Sequence, residues 1–222
     1  MDFQAARAAM VDSQIRPNGV RDPLILNAFA TVPREVFVPE AQKALAYRDE
    51  AIPVTVSCAG APARALLPPM ILARLLQGAA VSPSDRVLDI GGATGYSAAI
   101  VSRICEKVVA LETNDALAET MKRNLEAVNA APVSIHHGPL DRGVDESKPY
   151  TLILLNGSVA EEPRPLFAQL AEEGRLVAIV RSGWQGQAFL FTKSGGAVSG
   201  RPLFDAAADY LPGFEKRPDF VF

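Results

Sequence analysis

The sequence predicts an α/β fold: a mostly parallel sheet with helices on both faces, an antiparallel hairpin near the carboxyl terminus and a helical amino-terminal cap. Two observations support this prediction. Between residues 86 and 171, strand-like runs alternate with helix-like runs, and such alternation implies parallel strands joined by right-handed crossovers. Farther on, the strand-like runs Arg175 to Arg181 and Ala188 to Lys193 are separated only by SGWQGQ, a spacing that predicts a hairpin.

The individual elements follow from local signals. Asp22 followed by Pro23 predicts an N-cap and a first helical residue, with the helix running to about Thr31. The other elements of the amino-terminal part are an Ala-rich helix at Phe3–Ile15, an irregular segment at residues 33–39, a small-residue loop at Ser57–Pro62 and a helix at Pro69–Ala80, whose apolar residues have helical spacing. In the alternating region, strands are predicted at Arg86–Ile90, Lys107–Glu112, Val133–His137 and Tyr150–Leu155, and helices at Gly95–Ile104, Asp115–Val128 and Pro163–Ala171.

The chain length is consistent with one domain. Its 222 residues are enough for a single α/β domain with a substantial core. Residues 1–81 are expected to form the helical cap on a cofactor-binding core of residues 82–222. The cap is expected to pack near the glycine-rich turn and to supply Arg16, Arg34 and Arg64 as groups that could attract a carboxylate.

Composition excludes several classes of function. The formal net charge of −3 gives no electrostatic basis for binding nucleic acid or an anionic membrane. Cys58 and Cys105 have no metal-ligand spacing, and no metal site is expected. Both are expected to be reduced thiols of a cytoplasmic protein. The first residues lack the apolar run of a signal peptide, and no run approaches the roughly 20 residues of a membrane span.

The stretch VLDIGGATGYSAAI, Val87 to Ile100, contains the most informative turn. A strand, a turn of small residues and a helix N-terminus in this order are typical of nucleotide-like ligand sites. No Lys-Ser/Thr follows the last glycine, so the turn is not a P-loop. A dinucleotide fingerprint would need glycine at positions 91, 93 and 96, whereas Ala93 and Tyr96 stand at two of them. The pattern fits a ligand without a pyrophosphate, and the alternative is an ordinary strand–helix turn.

A carboxylate at the end of the next strand narrows the choice of ligand. Glu112 lies about 20 residues beyond the first glycine, where a carboxylate can accept both hydroxyls of a ribose. Asp89, at the end of the first strand, could face a positive group. Adenosine joined to a cationic methionine satisfies both requirements, so the predicted cofactor is S-adenosyl-L-methionine.

Longer stretches resemble the protein-L-isoaspartate O-methyltransferase family over nearly the whole chain. Met10 to Glu40, MVDSQIRPNGVRDPLILNAFATVPREVFVPE, is similar to that family's opening M-V-x-x-Q-[IL]-x-x-x-G-[IV]-x-D…V-P-R-x-x-F-V-P. AYRDEAIPV, Ala46 to Val54, also fits, and the glycine turn fits V-L-E-I-G-x-G-S-G-Y with Ala93 in place of a glycine. The resemblance implies a Rossmann-like class I methyltransferase fold and methylation of the abnormal isoaspartyl carboxylate in damaged proteins. The partner it implies is a protein or peptide that carries a carboxylate.

The resemblance also implies a set of cofactor-binding residues. After the third strand the family has G-D-G, whose aspartate meets the adenine amino group. This chain has Gly138-Pro139-Leu140 there, with Asp141 two residues farther on, and Thr151 stands where the family often has aspartate. Both changes predict reduced cofactor affinity. The full set is Asp89, Gly91, Gly92, Ala93, Thr94, Gly95, Glu112, Thr113, Gly138, Pro139 and Leu140.

The acceptor segment departs further from the family pattern. The family's G-Q-T-I-S-Q-P carries hydroxyls that face the substrate carboxylate. Aligned on Pro69, this chain has Arg64, Ala65 and Leu67, so both hydroxyls are missing and Arg64 is the only strong donor left. The alternative for Arg64 is an exposed arginine before a helix. Losing one preorganised donor at such a site typically costs about 10²–10³ in turnover.

Two functions from different classes remain open at this stage. The chain is either a carboxyl methyltransferase with a rebuilt acceptor site and reduced activity, or a degenerate relative that binds S-adenosyl-L-methionine or a peptide without turnover. An ionised carboxylate needs positioning and desolvation rather than a general base, so no catalytic triad is expected. The sequence leaves the acceptor and the oligomeric state open.

Overall fold

The computed structural model describes residues 2–55 and 63–216. Its centre is a seven-stranded sheet with the strand order β5-β4-β3-β6-β7-β8-β9. The first five strands in this order pair in parallel, whereas β7–β8 and β8–β9 are antiparallel. The predicted α/β class, the mostly parallel sheet and the antiparallel hairpin are confirmed.

The elements have the following bounds. The strands are β1 Ile52–Pro53, β2 Ala65–Leu66, β3 Arg86–Ile90, β4 Lys107–Glu112, β5 Val133–His137, β6 Tyr150–Val159, β7 Leu170–Ser182, β8 Gln185–Ser194 and β9 Ala197–Asp205. The helices are α1 Phe3–Met10, α2 Pro23–Thr31, α3 Pro69–Gly78, α4 Tyr96–Ser102, α5 Asp115–Ala127 and α6 Arg164–Phe167. The small strands β1 and β2 pair with each other in antiparallel fashion, outside the main sheet.

The amino-terminal helices begin and end as their local signals predict. The side chain of Asp22 accepts hydrogen bonds from the backbone N–H groups of Leu24 at 2.8 Å and Ile25 at 3.3 Å, and α2 ends at Thr31. The first helix continues from α1 into a π-helical turn at Val11–Ile15 and a 3₁₀ turn at Arg16–Asn18. A satisfied N-cap of this kind stabilises a helix by about 1 kcal/mol.

The carboxyl-terminal part corrects the sequence-based assignment in two places. The helix predicted at Pro163–Ala171 is only the four residues of α6, because β7 already begins at Leu170. The edge strand β9 was not predicted. It contains Gly200 and Pro202 and is largely exposed, so it lacks the regular apolar alternation by which a strand is recognised in a sequence.

The amino-terminal segment packs at the carboxyl ends of the parallel strands. The hydroxyl of Thr94, in the turn after β3, donates to the backbone carbonyl of Phe37 at 2.6 Å. The ring of Phe37 contacts the ring of Tyr96 with centroids 5.5 Å apart, and the guanidinium of Arg34 lies 4.5 Å above the same Tyr96 ring. The segment therefore meets the glycine-rich turn directly.

Of the two cysteines, the structure describes Cys105. Ser57–Pro62, and Cys58 with it, lie outside the described residues. Cys105 is a free, buried cysteine, and burial raises the pKa of its thiol to about 12. Among residues 2–55 and 63–216, no helix is long and apolar enough to cross a membrane.

Candidate functional site

The glycine-rich turn connects β3 to α4 with a backbone that leaves little room for side chains. A Cβ atom added at Gly92 would lie 2.6 Å from Oδ2 of Asp89 and 2.7 Å from Oγ of Ser97, so only glycine fits there. Ala93 has a φ angle of +53°, in the left-handed region that favours glycine. The family has glycine at this position, and glycine would adopt this backbone conformation without strain.

Glu112, the last residue of β4, is fully buried beside this turn. Its Oε2 accepts the backbone N–H of Ala93 at 3.0 Å. Its Oε1 accepts the backbone N–H groups of Thr113 at 2.9 Å and Asn114 at 3.3 Å. The carboxylate thus lies at the end of the strand where the sequence placed it, held by backbone donors on both sides.

Arg64 also binds this carboxylate, which the sequence predicts to accept the hydroxyls of a ribose. The Arg64 Nη1 donates to Oε1 of Glu112 at 2.8 Å, and Nη2 donates to the carbonyl of Gly91 at 2.7 Å. Both side chains are buried, with 6% and 0% of their surfaces exposed. Arg64 is therefore not the exposed arginine of the alternative interpretation, but part of the site.

The backbone of Arg64 fixes where its side chain can reach. Its N–H donates to the Oγ1 of Thr55 at 2.8 Å, and its carbonyl accepts the N–H of Val54 at 2.8 Å. These bonds extend the small β1–β2 pairing, in which Pro53 faces Ala65. The acceptor segment is thereby held over the carboxyl ends of β3 and β4.

Asp89 lies deeper in the site and has no exposed surface. Its Oδ2 accepts from Oγ of Ser97 at 2.8 Å, and its Oδ1 accepts from Nδ2 of Asn156 at 2.7 Å. Burial raises the pKa of Asp89 to about 6, although these two hydrogen bonds act in the opposite direction. Asp89 faces neutral donors in this structure rather than a positive group.

Described side chains pack closely against Gly91 of the turn. A Cβ atom built on Gly91 would lie 2.7 Å from Leu211, 3.1 Å from the Arg64 guanidinium and 3.3 Å from Leu140. A cavity of about 30 Å³ lies beneath the segment around Arg64, bordered by Asn156 and by residues 207–211. A second cavity, of about 10 Å³, lies between Leu67 and the turn. Pockets for drug-sized ligands usually measure about 300–1,000 Å³, so neither of these two cavities, formed by described residues, has room for a nucleoside.

The remaining predicted cofactor-binding residues surround the same turn. Gly95 has a φ angle of +97° and faces Met121, and the Thr113 carbonyl lies 2.9 Å from Nε2 of His137. The Gly138 N–H donates to the Glu112 carbonyl at 3.1 Å. Pro139 is exposed, whereas the side chain of Leu140 is buried against Gly91.

Thr151 and Asp141, the residues that the sequence linked to cofactor affinity, have other contacts in the structure. Thr151 lies at the start of β6, where its hydroxyl donates to Oδ1 of Asp85 at 2.7 Å. It is at the end of the sheet away from the glycine-rich turn, so linking it to cofactor affinity was wrong. Asp141 lies beside Gly213, where an added Cβ atom would be 3.3 Å from its carboxylate, and not on the turn.

The acceptor segment offers mainly apolar side chains. Leu67 is 6% exposed, and its carbonyl accepts from Nη2 of Arg34 at 2.8 Å. Arg34 is fully buried and serves this backbone contact, while Arg16 is exposed and pairs with Asp12. Of the three arginines that the sequence put forward, Arg64 hydrogen-bonds to the glycine-rich turn, and Arg34 contacts the ring of Tyr96 directly after it.

Sequence reasoning missed four residues of the site: Asn156, Ser97, Tyr210 and Leu211. Asn156 is 7% exposed, and its amide also donates to the carbonyl of Ile90 at 3.0 Å. It follows the apolar run of β6, as Glu112 follows that of β4, so a polar residue at the end of a predicted parallel strand was a usable signal. Tyr210 and Leu211 lie in an irregular tail that carries no such signal.

Comparison with known proteins identifies the family. A family model described as protein-L-isoaspartate(D-aspartate) O-methyltransferase matches residues 5–213. The chain belongs to this family. The protein-L-isoaspartate O-methyltransferase of Roseiflexus sp. (strain RS-1) is 36% identical over 190 residues, which are 86% of this chain and 84% of that protein. The enzyme of the same name from Methanoregula boonei is 40% identical over 174 residues, 78% of this chain and 77% of its own length.

Solved structures agree with this assignment. A protein-L-isoaspartate O-methyltransferase structure superposes with a TM-score of 0.82 at 28% identity, covering 93% of this chain and 66% of that one, just under two thirds of its length. A second structure, titled as a putative member of the family from Plasmodium falciparum in complex with S-adenosyl-L-homocysteine, has a TM-score of 0.76 at 20% identity and covers 92% of this chain and 97% of that one. The latter likeness supports the Rossmann-like methyltransferase fold.

Family membership makes the chain a methyltransferase whose cofactor is S-adenosyl-L-methionine, and the alternative of a non-enzymatic binding protein is not favoured. The donor set fits that cofactor, because Glu112 presents a carboxylate at the strand end and the turn presents backbone at Gly91 to Gly95. The space beside Glu112 does not fit the cofactor in this arrangement, because the Arg64 guanidinium occupies it. Within the described ranges, no group of three His, Cys, Asp or Glu side chains could hold a metal ion.

Proposed function

We propose that this chain is a carboxyl O-methyltransferase that acts on isoaspartyl carboxylates of proteins or peptides, with lower efficiency than a site that has the family's hydroxyls. One observation supports the proposal above the others. Arg64 of the acceptor segment and Glu112, the carboxylate predicted to bind the cofactor, are in direct contact, with Nη1 2.8 Å from Oε1. The parts that would hold the two substrates therefore form one site at the carboxyl ends of the parallel strands.

We assign the cofactor to the residues around the glycine-rich turn. The backbone from Gly91 to Gly95 and the carboxylate of Glu112 would hold the ribose side, and Asp89 would lie nearest the methionine side. Thr113, Gly138, Pro139 and Leu140 would border the adenine. The cofactor supplies an electrophilic methyl group when bound. The protein's own contribution is to exclude water from the acceptor carboxylate and to hold it in line.

The acceptor segment explains the expected low efficiency. An acceptor carboxylate that loses its water needs hydrogen-bond donors or a positive charge in return. Ala65 and Leu67 provide neither, and Leu67 is buried against the site. Arg64 is the one side chain of residues 63–67 that could provide a bidentate clamp, and in this structure it is engaged with Glu112.

A methyl-transfer assay tests this proposal. The substrates are a peptide with one isoaspartyl residue and the same peptide with ordinary aspartate. The variant Ala65→Thr/Leu67→Ser restores the hydroxyls, and Ala65→Val/Leu67→Ala has matched side-chain sizes without them. We expect weak transfer by the natural chain that is specific for the isoaspartyl peptide, and about tenfold or more gain in the hydroxyl variant only.

The same assay has clear contrary outcomes. Equal gains in the hydroxyl variant and its matched control would show that a smaller side chain, and not a hydrogen bond, limits the reaction. Strong transfer by the natural chain that neither variant changes would mean that residues 65 and 67 do not face the acceptor. Equal transfer to both peptides would contradict the assigned substrate.

A further inference from the structure

We propose that Arg64 is an internal competitor of the cofactor: its guanidinium occupies the place on Glu112 that the cofactor ribose needs, so the cofactor binds only when Arg64 leaves. This inference rests on the proposed function of the site. It links Arg64 of the acceptor segment to Glu112, the carboxylate predicted to bind the cofactor. We call the state in which Arg64 has moved away from Glu112 the open state. Arg64 would not touch the ligand in the open state, yet it would limit the ligand's affinity.

The contacts of Arg64 show competition for atoms as well as for space. Nη1 donates to the same Oε1 of Glu112 that accepts from Thr113 and Asn114. The other carboxylate oxygen accepts from Ala93. Oε1 therefore already accepts three hydrogen bonds, and a ribose that binds both carboxylate oxygens through its two hydroxyls needs the place of Nη1 on Oε1.

The second nitrogen of Arg64 covers the turn itself. Nη2 donates to the carbonyl of Gly91 at 2.7 Å and lies 3.1 Å from where a Gly91 Cβ atom would be. Glu112 has no exposed surface in this arrangement. A ribose therefore reaches its carboxylate only when the side chain that covers it, Arg64, moves away.

Glu112 would remain hydrogen-bonded if a ribose replaced Arg64 on it. When Arg64 leaves, the carboxylate keeps three backbone N–H donors, those of Ala93, Thr113 and Asn114. It is thus never an unpartnered buried charge. The carbonyl of Gly91 loses its Arg64 partner but lies next to the space that opens. The exchange therefore replaces one partner of Glu112 with another, while the β4 end itself keeps its bonds.

The expected size of the effect follows from population arithmetic. If only a fraction of molecules has Arg64 away from Glu112, the apparent dissociation constant is the intrinsic one divided by that fraction. A buried arginine–carboxylate contact favours the closed form, so the open fraction is small. We therefore expect removal of the guanidinium to tighten binding by about tenfold or more.

Calorimetric titration with S-adenosyl-L-homocysteine and with adenosine tests the inference on the full chain. The variants are Arg64→Gln and Arg64→Lys. The control is Arg48→Gln, which removes an exposed arginine that pairs with Glu50 at 2.8 Å far along the chain from the turn. We expect Arg64→Gln to bind both ligands about tenfold more tightly, Arg64→Lys to lie between it and the natural chain, and Arg48→Gln to match the natural chain.

The possible results separate this inference from the proposed function. If the natural chain binds S-adenosyl-L-homocysteine and Arg64→Gln binds it equally or more weakly, Arg64 is not a competitor, while the proposed function stands. If no form of the chain binds either ligand, both fail. Circular dichroism of each variant shows whether it is folded, and if Arg64→Gln is not, Arg64→Lys decides, because an unchanged affinity in that variant also overturns the inference.

Discussion

At the residue scale, Arg64 depends on its contact with Glu112 more than Glu112 depends on Arg64. Glu112 has three backbone donors besides Arg64, whereas the buried guanidinium has one other acceptor, the Gly91 carbonyl. Removing the carboxylate leaves a buried positive charge with little compensation, which is typically costly by about 3–5 kcal/mol. Removing the cation leaves a carboxylate that is still hydrogen-bonded.

The first prediction concerns this inequality. Glu112→Gln should lower the free energy of unfolding by about 3 kcal/mol, and Arg64→Gln by about 1 kcal/mol, in the absence of ligand. Urea unfolding followed by circular dichroism measures both values. The reverse order, with Arg64→Gln the more damaging change, would mean that the backbone donors do not support Glu112 as the distances indicate.

The second prediction concerns Asp89, whose pKa burial raises from 3.8 to about 6. Between these values the folded protein binds a proton that the unfolded chain does not, so this group's stabilising contribution falls as the pH rises through about 6. Asp89→Asn lacks the titration. Between pH 4 and pH 7, the free energy of unfolding of the natural chain should therefore fall by up to about 3 kcal/mol relative to that of this variant.

Unfolding titrations at several pH values check the Asp89 prediction. The quantity to compare is the difference between natural chain and Asp89→Asn, because other carboxyls then cancel. Asp85 behaves in the opposite way, since hydrogen bonds and the charge of Arg175 lower its pKa despite burial. A difference that stays constant from pH 4 to pH 7 would contradict the raised pKa.

Residue-level chemistry could be predicted where it depended on position along a strand. Glu112 is the last residue of β4 and Asp89 the second-last of the neighbouring parallel strand β3, and that alone places them at one edge of the sheet. Arg64 as the partner of Glu112 could not be predicted, because the contact joins residues 48 apart in sequence. It depends on how the β1–β2 pairing aims a long side chain, which no local pattern records.

At the element scale, the end of α3 contains an avoidable strain. Ala80 follows the helix with a φ angle of +49°, and Val81 N–H closes the turn on the Leu76 carbonyl at 3.2 Å. Helices that end in this way usually have glycine at the left-handed position. Helix α5 ends similarly, but there Asn129 has the positive φ angle, +47°, and asparagine tolerates it better than alanine.

The third prediction follows from comparing these two helix ends. Ala80→Gly should raise the free energy of unfolding by about 0.5–1 kcal/mol, because relief of the left-handed strain exceeds the added entropy of the unfolded chain. Both residues are exposed, so no cavity is created. Asn129→Gly is the matched control and should change stability less. Thermal unfolding of both variants tests this, and a larger gain from Asn129→Gly would contradict it.

Element boundaries were predictable where a cap or a strict strand pattern was present. The start of α2 at Pro23 and the bounds of β3, β4 and β5 agree with the sequence-based assignment. The segment Pro163–Ala171 contains helix-compatible residues, yet β7 takes over at Leu170 by pairing with Tyr150 of β6. Pairing with a strand already in the sheet therefore overrides local helix preference.

At the scale of the whole molecule, the described residues of the amino-terminal part, up to Val81, contact the core at both ends of the sheet. At the carboxyl ends, Tyr96 contacts Phe29 and Phe37. At the other end, Arg175 of β7 donates to both oxygens of Asp85 at 2.7 Å and to the carbonyls of Ala79 and Ala80. These contacts tie α2 and the end of α3 to the sheet, which supports the proposal of a single domain.

The last prediction tests whether the amino-terminal segment unfolds with the sheet. Phe29 in α2 and Leu154 in β6 are both fully buried members of one apolar cluster. If residues 2–81 had a separate stability, the amide of Phe29 would exchange through an opening of lower free energy than that of Leu154. Because the same buried surfaces join the two parts, we expect both amides to require the same global opening.

Native-state hydrogen exchange at increasing denaturant measures these two opening free energies. Values for Phe29 and Leu154 that agree within about 1 kcal/mol and share one denaturant slope indicate a single cooperative unit. The Ala79 and Ala80 carbonyl contacts with Arg175 provide a second comparison, since Arg175→Lys should lower both values together. A Phe29 opening that is several kcal/mol easier, and unaffected by Arg175→Lys, would show that the segment is a separate unit resting on the sheet.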